Sequence, residues 1–166
     1  MFKVGIIGPE STGKSTLAQE LAQRYHGVYV PEYARAYMES RPRAYAYTYT
    51  REDVENIARY QVAQMQELDA AKATDERVYF FDTELIITKI WFLEKYGDCP
   101  VYLEEALHDY PMDVYLLCYP DLPWVYDPVR ENPDSRQYLY DLYEREVQAL
   151  DIPYYVVRHD VEPVAD

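Results

Sequence analysis

The octapeptide Gly8-Pro9-Glu10-Ser11-Thr12-Gly13-Lys14-Ser15 governs the reading of this chain. Its spacing is G-x-x-x-x-G-K-[ST]. It follows a short apolar run, Phe2–Ile7 (FKVGII), which reads as a buried strand. It leads into Ser15–Tyr25, where Leu17, Ala18, Leu21, Ala22 and Tyr25 form a helical stripe. A strand, a glycine-rich turn and a helix in that order wrap successive backbone N–H groups around a phosphate. Gly8 and Gly13 permit the turn and a close approach. Glu10, Ser11 and Thr12 supply further loop backbone. Lys14 brings a positive charge to the β and γ phosphates. Ser15 brings a hydroxyl to Mg²⁺, and Thr16 opens the helix whose dipole faces the anion. The motif in this context predicts binding of ATP with Mg²⁺.

Further along, glycine at 27 is expected to end the first helix in a left-handed cap. Val28–Val30 reads as a second strand closed by Pro31, and Glu32–Ser40 as a short helix. Arg41–Thr50 has no helical period and reads as a loop. Arg51–Thr74 is the longest helical pattern, with Thr50 as its cap and Glu52 and Asp53 at the positive end of its dipole. Val78–Phe81 is a third strand, stopped by Asp82. Glu84–Tyr96 and Val101–Asp109 are helical, Val114–Cys118 is a fourth strand, and Pro120–Pro133 is a proline-rich loop. Ser135–Ala149 is helical and Tyr154–Val157 is a fifth strand. Alternating strands and helices imply crossover connections and a parallel sheet. The expectation is α/β: one three-layer P-loop domain over 1–166, with five strands buried on both faces and a lid at about 120–136.

Composition limits the partners. The 166 residues carry 16 Lys and Arg against 30 Asp and Glu, a net charge of −14. Binding to nucleic acid or an anionic membrane needs a basic footprint, so neither is expected. Two cysteines, Cys99 and Cys118, are too few for a disulfide framework and read as reduced thiols. No run approaches the roughly 18 apolar residues of a membrane helix, and the N-terminus opens as a strand rather than as a secretory signal. These readings place the chain in the cytoplasm.

The chain has no Asn-Lys-x-Asp string to read guanine, and its size suits a small-molecule kinase. Such a kinase needs carboxylates at strand ends facing the loop. Glu32 follows the second strand and Asp82 the third; either can take a proton from a hydroxyl, orient it, or hold Mg²⁺. Each has a plainer reading, Glu32 as a first-turn acid and Asp82 as a helix cap. Arg130 and Arg136 flank the proline-rich loop and suit a lid that neutralises a transferring phosphoryl group. Arg35 lies one turn after Glu32 and can reach an acceptor, whereas Arg41 and Arg43 read as surface. Tyr33, Tyr37, Trp91, Trp124 and Tyr126 flank these segments, although most rings of a tyrosine-rich domain pack in its core. The three histidines form no constellation.

Four strings carry a resemblance: Gly8–Leu17, Val30-Pro31-Glu32-Tyr33-Ala34-Arg35, Phe81–Thr88, and Pro123-Trp124-Val125-Tyr126-Asp127 with Arg130. In order and spacing they resemble the ribosylnicotinamide kinase domain of bacterial bifunctional NAD-biosynthesis regulators. The resemblance implies a sheet of thymidylate-kinase type, order 2-3-1-4-5, and transfer of the ATP γ-phosphate to the 5′-hydroxyl of nicotinamide riboside. It implies that Lys14 and Ser15 serve ATP and Mg²⁺ and that Arg130 and Arg136 form the lid. Glu32, Arg35 and Asp82 would face the riboside; Trp91 and Trp124, from the aromatics named above, are candidates for the acceptor side. By analogy with deoxynucleoside kinases, Glu32 is the preferred base and Asp82 sits near the metal. Arg158-His159-Asp160 follow the fifth strand where such folds touch adenine. The 166 residues are expected to leave no room for the family's adenylyltransferase domain. Two other readings stay open: a kinase for another nucleoside or a nucleoside monophosphate, with Arg35, Arg41 and Arg43 as a phosphate cluster, and an ATP-binding regulatory module with slow hydrolysis.

Overall fold

The structure is a computed structural model that describes residues 1–41, 48–122 and 135–159. Its elements are β1 (Phe2–Ile7), α1 (Lys14–Arg24), β2 (Val28–Val30), α2 (Tyr33–Glu39), α3 (Arg51–Ala71), β3 (Val78–Asp82), α4 (Leu85–Tyr96), α5 (Val101–Asp109), β4 (Val114–Cys118), α6 (Arg136–Leu150) and β5 (Tyr154–Val157). The strands form one sheet in the order β2-β3-β1-β4-β5, all pairs parallel. Both the five-strand parallel sheet and its order match the sequence expectation.

Strand alternation sorts the side chains into two layers. Val4, Ile6, Phe80 and Cys118 pack against Ala18 and Ala22 of α1. Ile7, Tyr79, Phe81, Tyr115 and Leu117 face the larger core under α3 to α6. Asp82 has the parity of Phe80, so it falls on the α1 side, where the phosphate loop enters its helix. Tyr29 pairs with Phe80 in register and shares that side.

Several expectations need correction. Gly27 does not cap α1 in the left-handed region; His26 takes that conformation, with φ 52°. Gly27 is required for a different reason. A Cβ there would lie 2.5 Å from the Val78 carbonyl oxygen, because the chain crosses close over β3. Asp82 does not cap α4. It extends β3 by one residue, and Glu84 is the cap, accepting from the Ile86 N–H at 2.9 Å. α3 closes at Ala71, short of Thr74. β5 is not buried on both faces: it is an edge strand, and Tyr155 is 66% exposed. Thr50 does cap α3, in a reciprocal box with Asp53. Among the described residues no helix is long and apolar enough to cross a membrane.

Candidate functional site

The loop after β1 is shaped by its own backbone. Gly8 and Gly13 have φ of 153° and 80°, and Ser11 takes 56°. The Thr12 hydroxyl donates to the Pro9 carbonyl at 2.7 Å, and the buried Lys14 ammonium donates to the same oxygen at 2.8 Å. Gly13 stands at the N-cap of α1 without a side-chain cap. The first-turn amides therefore face the loop, with the positive end of the dipole behind them.

At the open end of β3, the Ser15 hydroxyl donates to Asp82 Oδ2 at 2.5 Å. The Tyr29 hydroxyl donates to the same oxygen at 3.2 Å. Asp82 is 1% exposed, so its oxygens are met by these protein donors rather than by bulk water. The chain then turns sharply. Thr83, a β-branched residue, sits at φ 69°, and its N–H donates to the Ile6 carbonyl at 3.0 Å. Such a conformation is costly and marks a turn held by its surroundings. The turn sends Asp82 toward α1 and buries Glu84 under α4. Burial pushes the Glu84 carboxyl up to about 7, against hydrogen bonds from the Ile86 and Leu85 amides and the Tyr115 hydroxyl.

Beside the loop lies a cleft of about 280 Å³. Its lining includes Glu10 of the loop, Glu32 at the start of α2, and Tyr49, Thr88, Trp91 and Tyr143. Glu32 occupies the N-cap position of α2 but makes no side-chain cap, and its side chain is 8% exposed. It is thus not the first-turn acid of the plainer reading. The Trp91 indole N–H donates to the Tyr49 hydroxyl at 3.1 Å, and the two rings meet edge to face, centroids 5.1 Å apart. The Thr88 hydroxyl, also in the cleft lining, donates to the side-chain Oε1 of Gln61 at 2.6 Å.

The expected site residues divide accordingly. Lys14, Ser15, Asp82 and Arg136 gather around the loop. The Arg136 guanidinium donates to the Leu122 carbonyl at 2.7 Å and reaches the Ser11 carbonyl at 3.5 Å. Glu32 and Trp91 line the cleft. Arg35 is not among the residues lining it; its guanidinium lies 3.9 Å from Glu32 and 3.8 Å from Glu39. Arg41 is not a free surface cation. It donates to Asp53 and to the Thr48 carbonyl at the mouth of α3. Arg43, Trp124, Tyr126 and Arg130, with most of the proposed lid, lie outside the described residues.

Sequence reasoning missed two contributors. Tyr49 sits in a stretch without periodicity and gives no signal. Tyr29 looks like any strand tyrosine; only the parity it shares with Asp82 could have found it. His159, in the segment after the fifth strand expected near adenine, is held by Asp121, with its N–H 2.7 Å and its Nδ1 3.0 Å from that carboxylate. Its Nε2 lies 3.2 Å from where a Cβ on Gly13 would stand. Arg158 places its guanidinium 3.9 Å from the centre of the Tyr119 ring.

The residues present fit Mg²⁺. Ser15 and Asp82 are hard oxygen donors set together at the loop exit, and this ion takes one or two protein oxygens plus phosphate oxygens.

Known proteins bear on this arrangement. The chain is 31% identical over 133 residues to the trifunctional NAD biosynthesis/regulator protein NadR of Salmonella typhimurium strain LT2. That match covers 80% of this chain, which spans about a third (32%) of the relative's length. The fold resembles that of a NadR protein solved with NAD and AMP-PNP, and solved again with NR. The TM-scores are 0.70 and 0.68, at 21% identity over 99% of this chain and 45% of the other. It also resembles thymidylate kinase from Ehrlichia chaffeensis, with TM-score 0.61 and 14% identity over 99% of this chain and 90% of that one. The fold is therefore that of P-loop kinases. The match to the AAA domain family runs from residue 3 to residue 163, and the chain belongs to that family.

Proposed function

We propose that this chain transfers the γ-phosphoryl group of ATP to the 5′-hydroxyl of nicotinamide riboside, giving nicotinamide mononucleotide and ADP. The observation that carries the reading is the cleft that joins Glu10 of the phosphate loop to Glu32 and the Trp91–Tyr49 pair. An acceptor bound there presents its ring to the aromatics and its hydroxyl to the loop. Among the described lining residues, Glu10, Glu32 and Glu94 stand against Lys95. That balance suits an acceptor ring with a positive charge, as the riboside's pyridinium has. The likeness to NadR, whose structure has been solved with NR, supports the same acceptor.

The loop amides, Gly8 through Thr16, and Lys14 hold the triphosphate. Ser15 and Asp82 would hold Mg²⁺, which supplies charge neutralisation at the phosphates. Glu32 takes the proton as the 5′ oxygen forms its bond to the γ phosphorus. The bond from that phosphorus to the β-bridging oxygen breaks, and ADP leaves. Arg136, with Arg130, neutralises charge on the group in transit. Most of the acceleration comes from alignment of the two substrates. Arg35 serves by setting Glu32 rather than by touching the acceptor.

A nucleoside monophosphate acceptor is less well served. Its phosphate would need arginines, yet Arg41 is committed to Asp53 and Arg35 lies between Glu32 and Glu39. Incubation with Mg-ATP and nicotinamide riboside should give a product one phosphoryl group heavier than the riboside, read by mass spectrometry. ADP formation without any phosphorylated nucleoside would refute the reading.

A further inference from the structure

Tyr29 lies on the edge strand β2 with its ring against α1. For packing alone a phenylalanine would do. Its hydroxyl, however, makes a specific contact: it donates to Asp82 Oδ2 at 3.2 Å. The same Asp82 oxygen accepts from Ser15. One carboxylate oxygen is thus held from two sides, by the loop helix and by the edge strand. The Thr83 hydroxyl is 3.5 Å from the other oxygen, at the limit of a hydrogen bond.

We propose that Tyr29 is a positioning residue for the metal-holding carboxylate: its hydroxyl fixes the Asp82 side chain on the Ser15 side, so the pair is set for Mg²⁺ before nucleotide arrives. The inference rests on the reading of Ser15 and Asp82 as the magnesium donors. Its physical basis is the buried carboxylate's need for donors. Ser15 can give a lone pair to a cation and keep its O–H on Oδ2, and Tyr29 is the second donor, on the edge strand, that fixes the same oxygen. Without it, Asp82 must find its orientation only after the metal binds. Partners that orient metal ligands commonly contribute a tenfold or greater factor to metal affinity.

The test needs no acceptor, so it is independent of which nucleoside is phosphorylated. Calorimetry gives the Kd of AMP-PNP with and without Mg²⁺ for the wild type, Tyr29→Phe, Asp82→Asn and the double variant. The ratio of the two constants measures how far metal tightens nucleotide binding. In Tyr29→Phe that tightening should fall about tenfold while the metal-free Kd stays within twofold. In Asp82→Asn it should fall at least as far, and adding Tyr29→Phe should then change nothing. An unchanged ratio in Tyr29→Phe overturns the inference while leaving the metal reading intact. So does an equal weakening of both constants, which marks general damage to the fold, or a full additive loss in the double variant. If nucleotide binding by the wild type does not respond to Mg²⁺, the metal reading itself fails, and the inference with it.

Discussion

Ser15 and Asp82, 67 positions apart in sequence, meet in a 2.5 Å hydrogen bond that joins the first turn of α1 to the end of β3. Such a bond to a carboxylate is short and strong. It sets hydroxyl and carboxylate side by side where the loop's amides point. Asp82→Asn keeps the shape but removes the charge. It is expected to lower kcat about a hundredfold or more while leaving metal-free nucleotide binding nearly unchanged. Steady-state rates together with calorimetry separate the two effects. An equal loss in metal-free binding would make Asp82 a structural residue instead.

Glu32 is buried at the start of α2 yet caps nothing. A carboxylate that lines the cleft is what the proposed proton acceptor needs. Glu32→Gln should reduce kcat by about 10²–10⁴ with the KM for ATP little changed. Retained turnover would transfer the base role to Asp82.

Trp91 and Tyr49 form the aromatic end of the cleft. Stacking of a base on an aromatic side chain is worth roughly 1–3 kcal/mol. Trp91→Ala should therefore raise the acceptor KM by about ten- to a hundredfold and leave the KM for ATP as it was. Tyr49→Phe removes only the partner of the indole N–H and should act more mildly in the same direction. A change confined to ATP would place these rings outside the acceptor site.

The buried Glu84 gives the fold a pH dependence. Burial raises its carboxyl from 4.5 to about 7, so the folded chain holds this proton more tightly than the unfolded one. Its contribution is full below about pH 4.5 and is lost as pH rises through about 7. With 1.36 kcal/mol per unit, the loss is about 3 kcal/mol. Urea denaturation between pH 4.5 and 8 should show that decline. Glu84→Gln, which can still accept from the Ile86 amide, should flatten it. A decline of the same size in the variant would trace it to another group.

The fold could be read from the sequence because its main signals are local. The apolar runs at Phe2–Ile7, Val114–Cys118 and Tyr154–Val157 appear as strands with the same ends, and Thr50 caps its helix as expected. Errors arose where distant neighbours overrule local preference. Gly27 is a glycine because of the Val78 carbonyl, 51 positions away, and not because of a helix cap. Burial of β5 could not be read from its four apolar residues, although the order 2-3-1-4-5 that the resemblance implies already puts it at the sheet edge beside β4. The loop side of the site was legible because one octapeptide carries it. The acceptor side was legible only in Glu32 and Trp91. Tyr49, Tyr29 and the Asp121–His159 pair depend on contacts across the fold, and residue type alone does not announce them.

The central claim is tested most directly by coupled ADP release with Mg-ATP against a panel of acceptors: nicotinamide riboside, the common ribo- and deoxyribonucleosides, and their monophosphates. The account predicts strong stimulation by nicotinamide riboside and little by the neutral nucleosides or the monophosphates. Stimulation by a different member alone would contradict the assigned acceptor. ADP release that no acceptor stimulates, from folded protein that binds ATP, would contradict the kinase reading and leave a nucleotide-dependent regulatory module in its place.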